Sequence, residues 1–157
     1  MLYLKSGTYE KTTIVHRMSA SGQHPTRSKF LTCSHDAGVV SILPISETLV
    51  LTGSYDNSLR AFDYRNLKKP ISSINLDGGV WKLLARPSSV SGSLLACCMQ
   101  TGACTVNLNI TSLSLQRQGL FEPKEDNRLI YGASWQSENI AALCSFYEKK
   151  LYICRIP

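Results

Sequence analysis

Along residues 49–66 the chain reads apolar, polar, apolar. Leu49, Val50 and Leu51 supply one β-strand, Asp56 and Asn57 a tight turn, and Leu59, Ala61 and Phe62 a second strand. Asn and Asp tolerate left-handed backbone, so this hairpin closes without strain. The design returns twice: a shift of 46 places Thr52 on Cys98, and a second shift of 46 places Cys98 on Cys144, each closing an apolar run, LVLT, SLLACC and IAALC. After the second and third runs come further turns and strands, CMQTGACTVNL and CSFYEKKLYICRI; in the latter Leu151, Tyr152 and Ile153 read as period two. Upstream of each run lies another apolar segment, GVVSIL, GVWKLL and YGASW, with Gly38 and Gly79 separated by 41 positions and Gly79 and Gly132 by 53. The polar stretch QRQGLFEPKEDNR inside the longer gap predicts a loop inserted between repeats.

Short antiparallel strands recurring at this period, near the ~40–45 residues of a WD repeat, predict an all-β fold: a WD-repeat β-propeller, partial, of about three blades at 30–76, 77–122 and 123–157. A blade buries its faces against both neighbours, and three blades leave two raw ends, which predicts the C-terminal part of a larger ring, shortened by a truncated reading frame or a splice form. Two readings stand for residues 1–29. Either MLYLKSGTYEKTTIVHR, with its β-rich run from Thr12 to Val15, is the remnant of a preceding blade, or it is a polar leader; residues 19–29 are a loop on both.

With 157 residues, 43% of them hydrophobic, the chain is long enough to bury a core. The net charge of +6 comes from scattered Lys and Arg, and the doublets Lys68–Lys69 and Lys149–Lys150 fall in turns, a pattern that argues against nucleic acid as a partner. No run approaches the ~20 apolar residues of a membrane span, and the first residues lack a secretory signal. Cys33, Cys97, Cys98, Cys104, Cys144 and Cys154 do not show zinc-ligand spacing, and several sit in apolar strands. Structural thiols in a reducing, cytoplasmic setting are the expectation.

The segments HDAGVVSI, GSYDNSLRAFDYRNLKKPI, GGVWKL, LLACCMQTG, LIYGASW and CSFYEKKLYIC, in that order, resemble the C-terminal blades of the diphthine methyl ester hydrolase family, over roughly residues 30–156. Single WD hairpins are shared by many scaffolds; GGVWKL before LLACCM, and YGASW before CSFYE, are not generic. The resemblance implies a cytoplasmic propeller, a monomer when full length, that hydrolyses the methyl ester of diphthine methyl ester on translation elongation factor 2. It implies no metal and no organic cofactor. Residues 1–157 alone are expected to be inactive, since more than half of a seven-bladed ring would be absent. The alternative function is a non-catalytic WD-repeat scaffold for protein partners.

The chain departs from the family pattern at Phe62 and Cys154 in place of Trp, Lys82 in place of Arg, and Ser134 and Glu148 in place of Asp. Phe62 still fills the blade with a ring, whereas Ser134 removes a charge that could orient a catalytic or binding group. Ester hydrolysis asks for a base near the attacking water. The candidate catalytic residues are His35, Asp36 and Asp56, and each has a competing structural role, His35 in a hydrogen-bond chain with Ser54 and Asp56 of its own blade. Trp81, Tyr147 and Glu148 are candidates for substrate binding, with Trp81 offering its face to the substrate's trimethylammonium group; packing between blades and turn formation are the competing roles. Cys97 and Cys98 point to opposite sides of a strand, so at most one could reach solvent, and no G-x-S-x-G elbow is present. His16 and His24 fall in the leader.

Overall fold

Fourteen strands are found in the computed structural model, which describes residues 3–5, 13–15, 30–87, 92–123 and 129–157. The expected loop at 19–29 and the two leader histidines, His16 and His24, lie outside the described residues. Strands β1 (Tyr3–Lys5), β2 (Thr13–Val15) and β3 (Phe30–Thr32) form an antiparallel three-stranded sheet. The first blade is β4 (Val39–Pro44), β5 (Leu49–Ser54), β6 (Ser58–Asp63) and β7 (Ser72–Asn75). The second is β8 (Val80–Ala85), β9 (Ser93–Cys98), β10 (Gly102–Asn109) and β11 (Ser114–Phe121). The third consists of β12 (Ile130–Ser137), β13 (Ile140–Ser145) and β14 (Lys150–Arg155). All pairings are antiparallel meanders, the arrangement of propeller blades.

The apolar runs are continuous because the middle strands are covered on both faces. In β9, Leu94, Ala96 and Cys98 face the first blade, joining Leu49, Leu51, Leu59 and Val80 in one core, whereas Leu95 and Cys97 face the third blade and meet Ile130, Ala141 and Leu143. Each fully buried Leu of this kind stabilises the fold by about 1.5–3 kcal/mol. β13 returns to alternation: Ala141 and Leu143 are buried, while Cys144 is exposed. Phe62 is fully buried with Cys33, Val50 and Leu67, so the ring that replaces Trp packs as expected.

Two expectations of spacing are corrected. Ser54, Cys98 and Ser145 are the equivalent strand ends, each paired with the first residue of its inner strand, Val39, Val80 or Ile130. The uniform step of 46 therefore resolves into 44 and 47, and Gly132 lies inside β12 rather than at the position of Gly79. The stretch read as an inserted loop is strand as far as Phe121: residues 116–121 belong to β11 and pair with β10. An outermost strand has mostly solvent around it, so it carries no apolar signature. Residues 124–128 of that stretch lie outside the described residues.

Candidate functional site

The mouth is the end of the blades that carries the loops entering the inner strands and the turns after the second strands. Asn57 and Lys149, in two of those turns, have φ of 65° and 55°, and Gly102 has 89°, so the sharp reversal uses left-handed backbone in every blade. Inner strands share a second feature. Val40, Trp81 and Tyr131 are each an extra residue in the pairing of an inner strand with its neighbour: the register passes from Val39↔Ser54 to Ser41↔Gly53, from Val80↔Cys98 to Lys82↔Cys97, and from Ile130↔Ser145 to Gly132↔Cys144. Bulges of this kind re-aim a side chain out of the regular alternation.

In the first blade His35 sits in the loop before β4, 4% exposed, and both ring nitrogens are bonded within the blade. Nδ1 lies 3.0 Å from Asp56 Oδ2 and 3.1 Å from Ser58 Oγ, and Nε2 lies 2.7 Å from Thr52 Oγ1. A carboxylate only accepts, so the proton belongs on Nδ1 and Nε2 accepts from the Thr52 hydroxyl. The serine in direct contact with His35 is Ser58; Ser54 instead donates to the Ala37 carbonyl and accepts from the Asp56 backbone N–H. Asp56 Oδ1 accepts from the Ser58 hydroxyl and backbone N–H, and Oδ2 accepts from the Asp36 backbone N–H at 2.9 Å and from Arg60 at 3.1 Å. Burial lowers the His35 pKa from its ordinary value, against the charge of Asp56. Burial works to raise the Asp56 pKa, but the hydrogen bonds from Ser58 and Asp36 and the charge of His35 outweigh it and bring it down to about 2.

Asp36 differs from its neighbours. Its side chain is 87% exposed, held only at one edge by Arg60 at 2.9 Å. Two residues on, Gly38 O accepts from the Tyr55 N–H at 3.0 Å, which brings the Asp36 loop against the Tyr55 turn.

From Tyr55 an unbroken run of aromatic rings crosses all three blades. Ring centroids are 6.0 Å apart for Tyr55 and Trp81, 5.3 Å for Trp81 and Tyr131, 5.5 Å for Tyr131 and Phe146, and 5.3 Å for Phe146 and Tyr147. Every pair is tilted or edge-to-face, the geometry that ring quadrupoles favour. Tyr55, Phe146 and Tyr147 are 43%, 67% and 51% exposed, so the run is a surface. Trp81 and Tyr147 thus share one surface, two rings apart. Glu148 turns inward instead: Oε2 accepts from the Tyr152 hydroxyl, and Oε1 is buried without a hydrogen-bond partner. Tyr55, Tyr131 and Phe146 escaped the sequence reading. Aligning Gly132 with Gly79 hid the equivalence of Tyr131 and Trp81; aligning LIY with GVW would have shown it.

Lys82 donates to the Ala133 carbonyl at 3.1 Å, so its charge bridges the second and third blades. Ser134 is exposed on β12, opposite Ala142. Cys97 and Cys98 are both buried, and burial pushes the Cys97 thiol up to about 12, far from the thiolate that nucleophilic attack needs. All six cysteines are free. A cavity of about 320 Å³ lies between the second and third blades, lined among others by Leu95, Gln118, Phe121 and Arg155. None of the candidate residues lines it.

Among known proteins, the chain is 34% identical over 157 aligned residues to a diphthine methyltransferase of Saccharomyces cerevisiae, an alignment that covers 82% of this chain and 40% of the relative. It is 32% identical over 123 residues to the diphthine methyltransferase of Schizosaccharomyces pombe, covering 74% and 37%, and 32% identical over 114 residues to that of Homo sapiens, covering 71% and 25%. The chain therefore spans two fifths or less of these curated relatives. No family model matches it. Among solved structures, the C-terminal WD40 domain of Sif2 superposes with a TM-score of 0.70 at 14% identity, over 99% of this chain and 45% of that one. A chain of the mitotic checkpoint complex superposes at 0.63 with 16% identity, over 94% and 48%. These two likenesses establish the fold, a WD-repeat propeller.

Proposed function

This chain belongs to the WD-repeat family that the diphthine methyltransferases represent, and on that premise we propose that its blades form part of an enzyme that hydrolyses the methyl ester of diphthine methyl ester on translation elongation factor 2. The product, diphthine, is an intermediate of diphthamide biosynthesis, and the reaction takes place in the cytoplasm. Water adds to the ester carbonyl, the bond to the methoxy oxygen breaks, and methanol leaves carrying one proton while the carboxylate and a second proton remain.

The observation that supports this reading is the continuous aromatic surface from Tyr55 past Trp81 to Tyr147, beside the loop that carries Asp36. Trp81 presents its ring to the trimethylammonium group of the substrate. Tyr147, the third ring on from Trp81, bears on the peptide beside the modified histidine, while Glu148 turns inward to Tyr152 and supports the turn that carries it. Asp36 is the candidate base that water reaches most freely, being 87% exposed against 6% for Asp56 and 0% for the His35 side chain. His35 and Asp56 act through it as positioning residues, since Asp56 holds the Asp36 backbone N–H at 2.9 Å.

The test uses elongation factor 2 carrying the methyl ester, and the chain fused to the part of the S. cerevisiae relative that the alignment does not cover. Loss of the methyl group with release of one methanol per ester supports hydrolysis. Loss of the methyl group with none recovered as methanol points to transfer onto another acceptor, as the relatives' name suggests. An ester that stays intact while the factor remains bound favours the scaffold.

A further inference from the structure

Trp81 stands at a corner rather than in a stack. Tyr55 meets it at an interplanar angle of 57° and Tyr131 at 69°, on opposite neighbouring blades, with centroids 6.0 and 5.3 Å away. Trp81 and Tyr131 are the bulged residues of their inner strands, and Tyr55 lies in the turn after β5, so three backbone irregularities place three rings together at the mouth. None of the three belongs to a buried core. Room for the first wall comes from two glycines: a Cβ on Gly79 would lie 3.2 Å from Tyr55 Cδ1 and 3.3 Å from Met99 Sδ, and one on Gly38 would lie 3.5 Å from Tyr55 Cδ2. The cation closest in sequence, Lys82, directs its ammonium to the Ala133 carbonyl. The faces of such rings carry the negative side of their quadrupoles, and three partly exposed rings, each within 6.0 Å of the next, offer a quaternary ammonium, which has positive charge but no N–H to satisfy, several of them at once.

We propose that Tyr55, Trp81 and Tyr131 form three walls of a binding corner selective for quaternary ammonium over a neutral group of the same shape. Tyr55 and Tyr131 are thereby specificity-determining residues of the reaction proposed above. The inference rests on that reading for the source of the ammonium group, a fully N-methylated side chain on a protein, and on ring geometry for its recognition.

The probe is choline, with 3,3-dimethylbutan-1-ol as its uncharged isostere, titrated against the 157-residue chain carrying Trp135→Phe. That substitution removes an indole N–H that is buried without a partner and leaves Trp81 as the sole tryptophan. Choline is expected to change Trp81 fluorescence saturably, and the isostere to bind about fivefold or more weakly. Tyr55→Leu and Tyr131→Leu should each weaken choline by about two- to fivefold, while Tyr55→Phe and Tyr131→Phe, which keep the ring, retain it. Equal binding of the isostere, leucine variants that bind choline like the parent, or no saturable response would each overturn the proposal. Methanol release by the completed ring without choline binding would leave the hydrolase standing and remove the corner; choline binding without methanol release would do the reverse.

Discussion

Gly53 and Val80 meet across the first two blades so closely that a Cβ on Gly53 would lie 2.6 Å from Val80 Cγ1 and 2.9 Å from the Val80 carbonyl oxygen. One partner is backbone, which cannot move without disturbing the pairing of Val80 with Cys98. Gly53→Ala should therefore cost about 2–3 kcal/mol and lower the thermal midpoint by about 5–10 °C. Calorimetry on parent and variant checks this; an unchanged midpoint would mean that the blades slide apart without cost.

Arg86, at the end of the second blade's inner strand, closes the third blade. Its guanidinium donates to the carbonyls of Glu138 at 2.6 Å, Pro157 at 3.0 Å and Ile156 at 2.9 Å, and to Asn139 Oδ1 at 2.7 Å, while lying 5.6 Å from the Trp135 ring centroid. Arg86→Met should destabilise the protein by about 2 kcal/mol, with Arg86→Lys recovering less than half, because an ammonium cannot fork to four acceptors. Hydrogen exchange at residues 138–140 and 155–156 is expected to rise in both variants more than exchange within β5.

His35 makes stability depend on pH with a definite sign. Its pKa in the folded protein is below the ordinary 6.5, so the unfolded chain binds more protons, and the stabilisation is complete above pH 6.5 and lost as pH falls through the lower folded value. Asp56, brought from 3.8 down to about 2, stabilises above 3.8 and loses its contribution as pH falls through about 2. Urea midpoints measured from pH 8 to 5 should decline for the parent and decline less for His35→Gln. Parallel curves would show that the ring titrates freely in the folded state.

Asp36→Asn separates chemistry from folding. Its pairing with Arg60 is largely solvated, so stability should change by less than about 1 kcal/mol. Methanol release by the completed ring should fall about 10²-fold or more, with a smaller change in KM. Activity within twofold of the parent would transfer the role of base to another group.

The blades were legible because β5 and β9, covered on both faces, leave unbroken apolar runs, and because Asp56 and Asn57 announce the first turn. β11 was not, since Gln116, Arg117 and Gln118 on an outer strand resemble any polar linker. The candidates Trp81 and Tyr147 prove to share a surface, but the rings joining them were hidden by register. Trp81 and Tyr131 are the extra residues of equivalent strands, 50 positions apart, whereas matching Gly79 to Gly132 across 53 positions set Tyr131 three residues out of step with Trp81. Glu148 misled in another way: a turn carboxylate looks solvated on paper, whereas here it folds back beneath Tyr152.

The repeated two-against-one register at Val40, Trp81 and Tyr131 separates the side chains at the mouth end of the inner strands from the ladder that carries them. Hydrogen bonding there is set by the backbone, and the side chain owes little to the pairing around it. Three positions can consequently be exchanged, from the aliphatic Val40 to the two aromatics, to suit a different guest while every strand keeps its place.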